Sequence, residues 1–307
     1  MNKVVALTKR NCLLFLRSRA TVFFSFLSSI ILIALYFLFI AKSYAQGFGE
    51  IEGLLLTNKQ LNSAIYAQMI VGVLVVNSVS LSTGMFSIMA TDFETRKVDA
   101  VLLTNVKPIK FLLSYLISSV VVSFGLNLLM WIASVIIIGA TTGVWIGFGA
   151  VMAVIGVLAI TTFVSCSIML MFTTIVKSSN AIGVINGVLG TLLGFLCGIY
   201  MPYSMMGKGT KIIGSLLPFT HLTVWLKNIV LNNILKGFGL SADVILVIKE
   251  QMFSAQNVGL LGMNSPLWLN VLLGVVFASV CVIVASWLIS KMLHSKKPKK
   301  VKRSLAK

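Results

Sequence analysis

Acidic residues are scarce: there are 7 in a chain of 307, alongside 4 cysteines, 2 histidines and 5 prolines. Charged residues of both signs make up 10% of the sequence, against about a quarter in ordinary soluble domains. No charge-rich stretch of domain length separates the apolar tracts, which excludes a soluble catalytic head within this chain. Cys12, Cys166, Cys197 and Cys281 form no C-x-x-C pair and have no histidine at ligand spacing, so neither disulfides nor a metal centre are expected. His221 and His294 stand too far apart to add a ligand set. Glu50, Glu52, Asp92, Glu94, Asp99, Asp243 and Glu250 all fall in expected loops. The carboxylates that a proton relay needs at mid-membrane are therefore missing.

Apolar residues fill the space left by the missing charges. They make up 58% of the chain, its mean hydropathy is +1.02, and the uncharged runs are long enough for helices that cross a hydrocarbon core of about 30 Å. The pattern predicts an all-α polytopic membrane protein with spans at 21–41, 65–90, 111–138, 148–176, 181–201 and 267–290. All belong to a single permease-like domain, 1–290. The net charge of +18 is concentrated beside these spans. Eight of the 25 basic residues lie in the tail 291–307 and five in the first 19, a distribution that favours lipid headgroups over nucleic acid as partner. Eighteen of the 25 fall on one side of a six-span topology, so both termini are expected in the cytoplasm.

Residues 1–19 read as a basic interfacial helix, with Lys3, Arg10 and Arg17 on one face and Val5, Cys12, Phe15 and Leu16 opposite. A cleaved signal peptide ending near Ser43-Tyr44-Ala45 is the weaker reading, because the apolar stretch before it exceeds the usual 7 to 15 residues or so. Between spans five and six, Pro218 interrupts an apolar segment that also holds His221. Two short helices entering the outer leaflet fit that pattern better than a seventh span.

Two groups of residues within the spans stand out. Gly183, Gly187, Gly190, Gly194 and Gly198 recur at helical spacing and predict close helix packing, with Asn186 among them. Asn77, Ser80 and Gly84 share a face of span two, either as hydrogen-bonding glue or as a pathway lining.

The charged connector 91–110, TDFETRKVDAVLLTNVKPIK, is longer than two spans need. Thr91 followed by Glu94 has the form of a capping box, Asp92 adds a charge to the first turn, and Lys107-Pro108 marks an end. A helix follows from that pattern, with Val98, Val101 and Leu102 on one face and Arg96 and Lys97 largely opposite. The chain has no H-E-x-x-H and no G-x-S-x-G. Its nearest approach to a nucleotide loop, Gly207-Lys208-Gly209-Thr210, lacks a required glycine and has Gly209 where Ser or Thr is needed. If the chain drives anything uphill, the energy enters from a partner.

The order of these parts resembles the type-2 ATP-binding-cassette (ABC) exporter permeases. The likeness rests on a basic N-terminal helix, six spans, the motif Asp92-Phe93-Glu94-Thr95-Arg96-Lys97 after span two, and LLPFTHLTVWLKNIVL before span six. The resemblance implies that 91–110 is a coupling helix docking into an ATPase subunit, with Lys177 and Ser178 as a second, smaller contact. It also implies re-entrant helices around Pro218, two ATPase copies carrying ATP and magnesium, and a second permease that is either identical or similar. It places the chain in a bacterial-type inner membrane, and because the spans offer hydroxyls, amides and methionines but no charged ligands, the expected substrate is amphipathic or hydrophobic: a peptide antibiotic, a drug or a lipid-linked molecule. A sodium-coupled secondary transporter and a non-transporting scaffold or immunity protein are the alternative readings.

Overall fold

The architecture follows from where helix propagation stops. In the structure, a computed structural model, residues 3–40, 57–103, 106–200, 206–240, 242–248, 259–262 and 265–295 are described. The expectations for the loop 41–56 and for most of the basic tail lie outside them. The described residues form α1 (Lys3–Arg17), α2 (Arg19–Leu35, continued by a π turn Tyr36–Ile40), α3 (Asn58–Glu94) and α4 (Lys97–Leu103). They continue as α5 (Pro108–Thr142), α6 (Phe148–Val176), α7 (Ser179–Leu196), α8 (Lys208–Leu216), α9 (Pro218–Lys236), α10 (Ala242–Ile248) and α11 (Leu267–Ser295). Six of these are long and apolar enough to cross a membrane: Arg19–Leu38, Asn58–Glu94, Pro108–Thr142, Phe148–Val176, Ser179–Leu196 and Leu267–Lys291.

Local chemistry sets the boundaries. Thr57 and Gln60 form a reciprocal capping box that opens α3, Pro108 sits at the start of α5 and Pro218 at the start of α9. Each proline occupies a position whose N–H would have no helical partner. Gly143, at φ 77, closes α5, and the left-handed turn that glycine adopts without strain lets the chain reverse into α6.

α3 is the axis of the bundle. Its residues from Ser63 to Ala90 are nearly all buried, and α2, α5, α6, α7 and α9 all pack against it. α11 closes the bundle against α6, and α1 lies along α5. At one end a buried cluster joins Phe86, Met89, Phe111, Ile182 and Ile289, with Leu7 of α1 against it. Both ends of the described chain therefore meet there. At the other end Gly147, before α6, donates its N–H to Asn233 Oδ1 of α9 at 2.8 Å.

Several boundaries differ from the sequence reading. α3 starts at Asn58 rather than 65 because its capping box lies there. The helix expected over 181–201 ends at Leu196, and the N–H groups of Ile199 and Tyr200 fold back onto Gly194 O at 3.1 and 2.9 Å. Thr91 and Glu94 form no capping box. Thr91 is interior to α3, its hydroxyl donating to Ser87 O at 2.9 Å, because nothing in the preceding residues stops the helix. α3 closes at Thr95, Arg96 turns left-handed at φ 55, and the expected long connector helix is the seven-residue α4.

Candidate functional site at the end of the central helix

The last turn of α3 holds two carboxylates that reach opposite ways. Asp92, a charge of the expected coupling segment, is turned inward and is 4% exposed. It accepts from both terminal nitrogens of the Arg10 guanidinium, Nη1 at 2.7 Å and Nη2 at 3.1 Å. Tyr115 of α5 donates its hydroxyl to the same carboxylate, and Arg10 Nη1 also donates to Tyr115 Oη at 3.2 Å and Asn11 Oδ1 at 3.1 Å. A two-pronged charged pair is directional as well as strong, and this one fixes α1, α3 and α5 to one another. The hydrogen bond to Asp92 raises the Arg10 pKa above its ordinary value against the opposing effect of burial. Arg10 is thus drawn off the basic stripe expected of α1. Phe15 is buried, while Val5 and Leu16 are exposed.

Glu94 faces out and reaches α7. Its Oε1 accepts the Ser179 N–H and its Oε2 the Ser179 hydroxyl, both at 2.9 Å. Ser178 occupies the N-cap position but its side chain does not cap the helix, so Glu94 supplies the acceptor that the start of a helix needs. Lys177, in a left-handed turn at φ 55, breaks the chain between α6 and α7. The two segments singled out separately in the sequence, around Glu94 and around Lys177 and Ser178, are therefore in contact.

Beyond Glu94, Val98 is buried in the cluster that holds Phe111 and Ile182. Phe93 meets Phe111 edge-on with ring centroids 6.3 Å apart. Thr91, Arg96 and Lys97 are exposed. Val101 and Leu102 lie in α4, and their side chains are outside the described residues.

Deeper in the bundle, a pocket of about 270 Å³ opens between α2, α3 and α7, lined among others by Thr21, Ser25, Ser80, Thr83, Gly183 and Asn186. Ser87 and Ser179 also border it, which puts one wall in direct contact with Glu94 through Ser179. Gly84 lets α2 and α3 approach: a methyl group there would collide with Ser25 and press on Phe15.

The other residues singled out from the sequence serve different purposes. Asn77 is glue: it accepts from Ser29 Oγ and donates to Asn127 Oδ1, both at 3.1 Å. Within this one chain the glycine series does not form a single packing face. Nothing lies within 4 Å of where a Cβ on Gly183 or Gly187 would sit, and Gly190 only nears Ser28 at 3.9 Å. The Tyr200 ring covers Gly194, and Gly198 is off the helix in a left-handed turn at φ 66. Pro218 packs on Gly274 of α11, and His221 is buried with Nε2 2.8 Å from Ser215 O.

Sequence reading missed Lys227. This lysine of α9 is 1% exposed and donates Nζ to Gly198 O at 2.6 Å, beside Gln68 Nε2, which donates to the same oxygen at 3.2 Å. A single lysine inside the apolar run LTVWLKNIVL was the available signal. Tyr115 and Arg10 were equally hidden, because their partners are 23 and 82 residues away.

A helical bundle with six helices long and apolar enough to cross a membrane, a pocket bordered by hydroxyls among them and a short helix beyond the end of its axis has the frame of a polytopic membrane protein. The sequence profile of the ABC-2 type transporter family matches residues 2–231, and the chain belongs to that family as its membrane, or permease, component. No curated protein matches the chain.

Proposed function

We propose that this chain is one half of an ATP-driven exporter. α4 with the turn before it is the contact for a separate ABC ATPase that carries ATP and magnesium. Two ATPases and a second permease, identical or similar, complete the transporter. The membrane is a bacterial-type inner membrane, both chain ends and the Glu94–Ser179 contact lie on its cytoplasmic side, and α1 rests along the inner leaflet with lipid headgroups around its exposed basic residues. α8 and α9 enter the opposite leaflet as a re-entrant pair. The substrate is amphipathic or hydrophobic, since no charged side chain is among the residues bordering the pocket. A peptide antibiotic, a drug and a lipid-linked molecule all meet that description.

One observation carries the proposal: the residue before the α3–α4 turn, Glu94, is bonded to Ser179 of the pocket wall. A push on α4 is thereby delivered through α3 and α7 to two of the three helices around the pocket. Rigid elements joined by such contacts are how a small displacement at one site changes another.

Affinity purification of the full chain from native membranes in a stabilising detergent tests it. Recovery of a subunit bearing a Walker motif, lost on the double substitution Arg96→Ala and Lys97→Ala, is the expected result. Purification without any such subunit, together with sodium-dependent transport by the chain alone, would replace the proposal with a secondary transporter.

A further inference from the structure

The pocket between α2, α3 and α7 has an unbalanced hydrogen-bonding inventory. Most hydroxyl protons on its walls are already committed within the protein. Ser25 donates to Thr21 O at 2.8 Å, Thr83 to Val79 O at 2.8 Å, Ser87 to Gly84 O at 2.7 Å and Ser179 to Glu94 at 2.9 Å. Each of these oxygens keeps lone pairs, so the walls are rich in acceptors.

Two atoms go further. Ser80 Oγ is buried and has no partner, although the neighbouring hydroxyls of Ser78, Ser82 and Thr83 on the same helix all bond back to the carbonyl four residues earlier. Across the pocket, Asn186 Oδ1 is also buried without a partner. An amide oxygen can only accept, and a buried acceptor left unmatched is costly. Both residues border the same space, on different helices, with the open flank of Gly183 between α7 and the pocket. No anion borders the pocket, and both oxygens of the nearby Glu94 carboxylate are held by Ser179. A desolvated ammonium would find no countercharge there.

We propose that this pocket binds a neutral hydrogen-bond donor, a hydroxyl or amide N–H on an otherwise apolar molecule, with Asn186 Oδ1 as its obligate acceptor and Ser80 Oγ, whose own proton is uncommitted, able to accept from the ligand or donate to it. The inference rests on the reading of α2, α3 and α7 as walls of the transport path, and it narrows the substrate to amphiphiles whose polar group donates. Anionic and quaternary ammonium amphiphiles are rejected for lack of a matching charge or proton.

Four probes with one chain length separate the alternatives. The full chain in phosphatidylcholine nanodiscs is titrated with tritiated dodecanamide, empty nanodiscs are subtracted, and unlabelled dodecan-1-ol, methyl dodecanoate and dodecylamine compete. Saturable dodecanamide binding is expected, displaced by dodecan-1-ol. Methyl dodecanoate, which accepts but cannot donate, competes about tenfold less well, and Ser80→Ala and Asn186→Leu each weaken dodecanamide about fivefold. Asn186→Asp adds an anion and should transfer the preference to dodecylamine, a gain that misfolding cannot produce. Equal competition by methyl dodecanoate, unchanged affinity in Asn186→Leu, or no saturable binding would each overturn the inference. The assay uses no nucleotide, so its failure leaves the ATPase recovery experiment standing, and failure of that experiment leaves a donor-selective pocket in place.

Discussion

Asp92 shows how much a single carboxylate can organise when it is buried. It accepts from Arg10 and Tyr115 while only 4% exposed, so removing it strands a partly buried guanidinium and a buried phenol. Asp92→Ala should destabilise the protein by about 2–4 kcal/mol, toward the lower end because Arg10 retains some exposure to solvent. Asp92→Asn keeps an acceptor for Tyr115 and should lose less. The paired change Arg10→Met with Asp92→Leu replaces the ion pair by apolar packing, and such replacements are often neutral or better. Its unfolding in a denaturant series in detergent should fall nearer the wild type than either single variant, Arg10→Met or Asp92→Leu. Simple addition of the two single effects would show that the pair is not energetically coupled.

Among the elements, α7 is the one whose start depends on a residue 85 positions earlier. Glu94→Ala leaves the Ser179 N–H, the first of α7, and the Ser179 hydroxyl without their acceptor, and Glu94→Lys adds a positive charge at the positive end of a helix. Amide hydrogen exchange over residues 179–182 should accelerate in Glu94→Ala and more so in Glu94→Lys, while α3 and α5 stay protected. Uniform acceleration across all three helices would mean that Glu94 supports the whole bundle and not α7 in particular. The breaks flanking this contact carry their own strain, with Arg96 and Lys177 both at φ 55. A side chain in that region costs about 1–2 kcal/mol relative to glycine. Lys177→Gly relieves this cost but gains flexibility in the unfolded chain, so a net stabilisation of about 0.5–1 kcal/mol in the same denaturant series is the expected outcome.

At the scale of the whole molecule, the six helices long and apolar enough to cross a membrane were legible because such a helix needs a run of about 20 apolar residues, and the sequence displays such runs openly. Breaks at Pro108 and Pro218 were legible for the same reason: each is a local rule acting on one residue. The site was far less so. Thr91 and Glu94 matched a helix-start pattern, but a helix already propagating through Ala90 overrides it, and Glu94 takes a partner that no local rule could supply. Arg10–Asp92 and Glu94–Ser179 exist only because α3 brings distant segments to one end of the bundle.

That shared end sets the last prediction. α5 runs from Pro108 beside the Asp92 cluster to Gly143 near α9, so Lys97 and Trp145 should sit on opposite faces of the membrane. Trp145 is exposed and follows the α5 turn, while Lys97 is exposed at the start of α4. Single cysteines at these positions, in a chain whose own four are replaced by alanine, should react with a membrane-impermeant maleimide in complementary preparations. Trp145→Cys should label in intact cells, and Lys97→Cys only in inside-out vesicles. The partner ATPase should then shield Lys97→Cys from the reagent and leave Trp145→Cys unaffected. Labelling of both from the same side would break the proposed topology, and labelling of Lys97→Cys at full rate with the ATPase bound would move the docking contact away from α4.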